Sequence, residues 1–231
     1  DDNFASIVAA VEEGRGIYDN IRKFIHFLLS CNLGEILVMF TAALLGLPVP
    51  LLPIQILWVN LVTDGLPALA LGIDPVDPGI MERPPRKTDE PVITGARGWL
   101  IGLQGALVAA CSLGAFLFVL VYEKETLVEA RTAALATLAC AQLFHAFNCR
   151  SMQESIFRLK FRTNPQLVGA VGLSFLLQMA VIYVPFLQPV FKTTALSPVD
   201  LGAIMVFSTL PLWIMETVKA LNRRFRLYEL Y

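Results

Sequence analysis

Six apolar stretches, at about 24–46, 51–72, 98–122, 132–149, 167–187 and 199–218, are each long enough to cross roughly 30 Å of hydrocarbon. No other feature limits the folds open to this 231-residue chain so strongly. With 56% hydrophobic and only 16% charged residues, it is too apolar for a soluble domain of its length. The expected fold is all-α, a polytopic membrane bundle of six helices. "GLPVP" between the first two spans is too short for anything but a tight helical hairpin. Ile7, Val8, Val11, Ile17, Ile21, Phe24, Ile25 and Leu28 recur at roughly helical spacing among charges. They predict a cytoplasmic stalk over 1–23 that continues into the first span, with 24–231 as the membrane domain. Gly14 and Gly16 weaken that helix by about 1 kcal/mol each relative to Ala.

Position, rather than net charge, carries the charge information. A formal charge of −1 excludes the concentrated positive surface of a nucleic-acid binder. Of 18 Lys and Arg, only Lys124, Arg131 and Lys192 fall on one side of the spans. The positive-inside rule then makes both termini and the two longer connectors cytoplasmic. Cys31, Cys111, Cys140 and Cys149 lie in or beside apolar runs without zinc spacing and read as small buried hydrophobes. Trp58, Trp99 and Trp213 sit near span ends, where amphipathic indoles collect. "DDNFASIVAAVEEGRG" is no signal peptide and lacks a starting Met, as expected of a piece of a longer chain.

Within the spans the ionisable residues are Glu35, Asp64, His145 and, close to an end, Glu216. Inserting a carboxylate near a helix centre costs about 2.5–3.5 kcal/mol, so Glu35 and Asp64 require a reason. Proton relay, ion ligation and buried pairing are the choices. Pairing is disfavoured, because no Lys or Arg lies at comparable depth. Asn32 and Glu35, three apart, share one helical face; Asn60, Thr63 and Asp64, at i, i+3 and i+4, share another. Brought together by the hairpin, these oxygens suit a hard cation such as Ca²⁺. Pro67 donates no N–H, so the helix should loosen at residues 63–66 and free carbonyls as further ligands. A packed, kinked helix accounts for Asn60 and Thr63 but not for Asp64. On the fourth span Gln142 either lends an amide oxygen to this site or ties helices together. His145 reads as a packed, hydrogen-bonded residue, and Glu216, near Lys219, as an interfacial charge.

"SCNLGE" followed by "LWVNLVTDGLPALALGIDPVDPGIMERPPR" resembles the membrane domain of P-type ATPases, specifically the calcium-transporting subclass. "DDNFASIVAAVEEGRGIYDNIRKFI" resembles that family's exit from the phosphorylation domain into its fifth membrane helix. The resemblance implies the last six helices of a ten-helix translocase exporting Ca²⁺ from the cytoplasm, in the plasma membrane of a bacterium. It places metal ligands on Asn32, Glu35, Asn60, Thr63 and Asp64, with Gln142 standing where two-site calcium pumps carry Glu. One-ion plasma-membrane pumps are similar at Gln142 but lack Glu35. Glu35 and Asp64 neutralise one divalent ion, so one ion per cycle is expected. The resemblance further implies protons returning on the emptied carboxylates. The family's phosphorylated Asp in DKTGT, its TGE loop and its nucleotide domain are missing here, so no catalytic residue is expected. ATP and Mg²⁺ act only through those missing cytoplasmic domains. The implied partners are the actuator, phosphorylation and nucleotide-binding domains, the first four membrane helices of the same pump, and the lipid bilayer. Within "DPVDPGIMERPPR" the prolines with Arg83 and Arg86 predict a stiff, basic docking surface for the phosphorylation domain. A six-helix secondary carrier or channel, a pump for Mn²⁺ or Na⁺, and a non-transporting scaffold are the alternatives.

Overall fold

The computed structural model describes residues 4–77, 79–85, 91–152, 154–158 and 163–225. Among the described residues, six helical stretches are long and apolar enough to cross a membrane. The first, α1 (Phe4–Leu44), is one uninterrupted helix of 41 residues, about 60 Å long at 1.5 Å per residue. It joins stalk to span without a break, as its apolar spacing predicts. Gly46 ends it at φ +64°: Gly46 N–H bonds Ala43 O and Leu47 N–H bonds Ala42 O, which satisfies the last carbonyls.

The second span is broken. It comprises α2 (Pro53–Trp58), a π-helical turn (Val59–Thr63) and α3 (Gly65–Gly72). The third joins α4 (Gly95–Leu117) to a π turn over Phe118–Tyr122. The fourth, α5 (Leu127–Cys149), starts five residues before the predicted 132 because Thr126 and Glu129 form a reciprocal capping box there. α6 (Pro165–Tyr183) is capped by Asn164, whose side chain accepts from Leu167 N–H. A short α7 (Gln188–Phe191) leads to α8 (Pro198–Phe225), which carries Pro211 in its interior.

Alanine-rich α5 is the most deeply buried span and packs against α1, α4, α6 and α8. Small side chains let its neighbours approach closely, the usual means of association where lipid removes a hydrophobic drive. At the α1–α4 crossing, a Cβ on Gly105 would stand 3.1 Å from Leu33 Cβ and Ser30 O. Two apolar cores result. One gathers Val38, Val59, Phe116, Leu138 and Ala141; the other Phe27, Cys31, Ala68, Leu100 and Ala146. On α1, the second span and α5 alike, the chain passes from one core to the other through polar residues: Glu35, Thr63 with Asp64, and Gln142. Large apolar side chains such as Ile36, Leu61, Leu69, Leu176 and Trp213 cover the outside.

At the end of the bundle carrying Asp74, charges collect. The Asp74 carboxylate meets Lys23 Nζ at 2.6 Å, Arg150 Nε at 3.1 Å and Asn164 Nδ2 at 2.7 Å, while Asn20 donates to its carbonyl at 2.6 Å. One residue thus joins α1, the connector after the second span, the end of α5 and the start of α6. The connector also lies along the stalk. Arg15 donates to the carbonyls of Ile80 and Arg83, and Arg83 pairs with Asp19 and Asp77 at 2.5 Å each. Of the expected basic docking surface, Arg83 is engaged by the chain's own stalk and loop while its side chain stays 28% exposed. Arg86 lies outside the described residues. Gly16 explains itself here, since a Cβ at that position would stand 2.5 Å from Val76 Cγ2.

Candidate ion site

Glu35 on α1 and Asp64 beyond the π turn are both buried, at 4% and 0% exposure. Asn60 Nδ2 donates to Glu35 Oε2 at 2.6 Å and Gln142 Nε2 donates to Glu35 Oε1 at 3.2 Å. Three spans therefore meet on one carboxylate. The Gln142 contact with Glu35 is made through its amide nitrogen and is compatible with both readings of that residue.

Acceptors outnumber donors there. Neither Asp64 oxygen accepts from a nitrogen or hydroxyl donor, and Gln142 Oε1 is likewise buried without a partner. The thiol of Cys31, a weak donor, lies beside Asp64. Buried oxygens left unpaired cost about 1–3 kcal/mol each, more when charged, so this surplus fits a cation. Rotation of the Asn60 and Gln142 amides would turn their oxygens toward such an ion in place of the N–H groups now on Glu35. Oxygen donors drawn from carboxylates and amides are the set that a hard cation takes.

The other expected residues are placed differently. Thr63 is fully buried, its hydroxyl donating to Val59 O at 2.9 Å. Asn32 is exposed, with its amide on Leu28 O at 2.8 Å. It lines an open groove of about 560 Å³ together with Glu35, Asn60, Ile36, Met39 and Phe40. Asn32 thus stands at the exposed rim of the groove that Glu35 and Asn60 also line. The predicted loosening at residues 63–66 meets the break, which falls at Asp64 but begins earlier. The helix widens one turn earlier, at Val59–Thr63, and re-forms from Gly65 with Pro67 in its first turn. Proline is tolerated there because first-turn N–H groups lack intrahelical partners. Nor is Val62 O left free, since Ser174 Oγ of α6 donates to it at 3.3 Å.

Several polar contacts escaped the sequence reading. His145 Nε2 lies 2.7 Å from Ser30 Oγ and 3.3 Å from Cys149 Sγ, and His26 Nε2 lies 2.5 Å from Gln104 Oε1. Trp58 Nε1 donates to Gln178 at 2.9 Å, a bond as well as an indole at a span end. Glu216 accepts from Lys219 at 3.2 Å, from Ile156 N–H at 3.2 Å and from the Ser155 hydroxyl. Lys219, though fully buried, serves Glu216 and Asn148. It leaves Glu35 and Asp64 without a basic partner among their hydrogen bonds, as expected.

The chain is thus a six-span helical membrane bundle that buries two carboxylates beside a broken helix. Over residues 48–221 the chain matches the family described as Cation transporting ATPase, C-terminus, and it belongs to that family. It is 50% identical over 215 residues to the calcium-transporting ATPase of Bacillus subtilis (strain 168), covering 93% of this chain and 24% of that protein. Calcium-transporting ATPase 1 of Bacillus cereus is 44% identical over 95% of this chain and 26% of its own length. The endoplasmic reticulum calcium ATPase srcA of Aspergillus fumigatus is 37% identical over 97% and 26% respectively. The chain spans about a quarter of the length of these curated relatives.

Proposed function

We propose that this chain is the ion-translocating membrane part of an ATP-driven pump that exports Ca²⁺ from the cytoplasm across the plasma membrane of a bacterium. Both termini are cytoplasmic in this reading. The observation that carries it is the buried carboxylate of Asp64, which no nitrogen or hydroxyl donor reaches, set where the second span is broken and near the Asn60 that bonds Glu35. Asp64, Glu35, Asn60, Thr63 and Gln142 supply the oxygens, with Asn32 at the rim. Two carboxylates balance one divalent ion, so one Ca²⁺ moves per cycle.

The groove at Glu35 and Asn60 opens outward between exposed Ile36 and Phe40. We assign its cover to the first four membrane helices of the same pump. Relatives about four times as long as this chain leave room for those helices and for the actuator, phosphorylation and nucleotide-binding domains. ATP and Mg²⁺ belong to those domains. The ion reaches the buried oxygens from the groove side and leaves when displacement of α1 moves Glu35 away from Asp64, the stalk serving as lever.

Calcium uptake into vesicles by the full-length protein tests this reading. Asp64→Asn should abolish ATP-driven uptake while the protein still inserts and folds, and Glu35→Gln should reduce Ca²⁺ affinity at least ten-fold. Undiminished uptake by Asp64→Asn would sink the assignment.

A further inference from the structure

Toward the Asp74 end from the carboxylates, a chemically different cluster forms between α1 and α5. His26, His145 and Cys149 are each at most 2% exposed. One donor atom from each lies within 4.8 Å of the other two. His145 and Cys149 are four apart on α5 and so share one face, with Nε2 and Sγ already 3.3 Å apart. His26 comes from α1, its ring held by the 2.5 Å contact between Nε2 and Gln104 Oε1. That bond makes Nε2 the donor and leaves Nδ1 with a lone pair, buried and without a hydrogen-bond partner. An imidazole oriented through one nitrogen by an outer carbonyl, with the other free, is how metal-ligating histidines are usually held. Ser30 Oγ, 2.7 Å from His145 Nε2, stands ready as a fourth donor atom.

We propose that His26, His145 and Cys149 form a second metal site, distinct from the oxygens around Asp64, that takes one borderline or soft divalent ion such as Zn²⁺ or Cd²⁺. Two imidazoles and a thiolate select such ions over Ca²⁺, which wants six to eight oxygens. In a tetrahedral site with metal–N near 2.0–2.1 Å and metal–S near 2.3 Å, donor atoms stand roughly 3.3–3.7 Å apart. The His145–Cys149 pair already has that spacing, and the remaining approach is a matter of small side-chain shifts. Binding forms two metal–nitrogen bonds and one metal–sulfur bond, and the thiol proton leaves to solvent. No electron is transferred. The bound ion would fasten α1 to α5 and restrain the helix that carries Glu35. The assignment does not depend on which ion the Asp64 region takes.

The test is a Cd²⁺ titration of the full-length protein in detergent, with Ca²⁺ in excess, following the ultraviolet thiolate-to-metal absorption. Expected is one saturable equivalent with that absorption, absent in both Cys149→Ser and Cys149→Ala and unchanged in Asp64→Asn. His26→Gln, on the other helix, should weaken Cd²⁺ at least ten-fold while leaving α5 and its thiol unaltered. The proposal is overturned by equal absorption and affinity in the Cys149 variants, by full affinity in His26→Gln, or by loss of the signal in Asp64→Asn.

Discussion

Removing the carboxylate of Asp74 should cost this fold about 3 kcal/mol, and the figure can be built contact by contact. Arg150 and Asp74 are 8% and 5% exposed at their side chains, a buried pair by position. Breaking such a pair by removing one partner costs about 3–5 kcal/mol, because the surviving charge is stranded. The low end applies, since Arg150 keeps Thr163 Oγ1 at 2.7 Å and Asn164 keeps Ala70 O at 3.3 Å. Lys23 is 20% exposed and can turn to water, so its share is about 0–1 kcal/mol. Asn20 bonds the Asp74 backbone and is not affected by Asp74→Ala. Reversible denaturant unfolding in detergent micelles measures the loss. A double-mutant cycle of Asp74→Ala with Arg150→Ala should give a coupling of about 2 kcal/mol, and the cycle with Lys23→Ala less than about 1 kcal/mol. Equal couplings, or a total loss below about 1 kcal/mol, would refute the claim that the Arg150 arm holds this junction together.

Other perturbations follow from equally local geometry. Gly14→Ala, with nothing within 4 Å of a new Cβ, should stabilise by about 0.5–1 kcal/mol through helix propensity alone. Gly16→Ala, two residues on, should instead lose about 1 kcal/mol net, since the clash with Val76 costs more than propensity returns; the two unfolding midpoints should move in opposite directions. Thr126→Ala removes the cap of α5 and should cost about 1 kcal/mol by the same assay. Gln142→Glu sets a third carboxylate against Glu35; in the full-length protein it should lower Ca²⁺ affinity at least ten-fold, or raise the ion-to-ATP ratio from one toward two if a second ion is recruited. A ratio of two in the unaltered protein would remove the one-ion reading.

The spans were legible because hydrocarbon asks for little besides length and apolarity, and both are local properties of the chain. So were the polar faces, since i, i+3 and i+4 spacing groups Asn32 with Glu35 and Asn60 with Thr63 and Asp64, and the hairpin brings Asn60 to Glu35. What spacing does not decide is where that face points. Asn32 shares a side of α1 with Glu35, yet a difference of three residues is about 60° around the helix, enough to leave one at the rim and the other buried. The break in the second span was foreseen from Pro67, and the structure places it at Asp64 with the helix already widened from Val59. The Asp74 junction and the His26, His145 and Cys149 cluster were invisible for another reason. Each draws its members from helices or connectors far apart in the chain, and two residues at i and i+4, as on α5, do not announce the third.

The unequal stiffness of the first two spans gives the carboxylate pair its mechanical character. α1 runs unbroken through Lys23 and Glu35, twelve residues and about 18 Å apart, so a displacement at the Asp74 junction is carried to Glu35 nearly undiminished. Asp64 stands on a different footing. It follows a π turn, where each hydrogen bond reaches one residue further and one residue per turn is extra, an arrangement that adjusts locally rather than transmitting. Its flanks are fixed separately, by Ser174 on Val62 O and by the return to α-helix at Gly65. Moving the rod therefore changes the Glu35–Asp64 separation instead of carrying both carboxylates along together. In the proposed pump, Coulomb energy between a divalent ion and a carboxylate falls as the inverse of distance, and at an effective dielectric of 20 a drift from 2.5 to 3.5 Å gives up about 4 kcal/mol. That is roughly a several-hundred-fold weakening of ion affinity from about one ångström of rod movement.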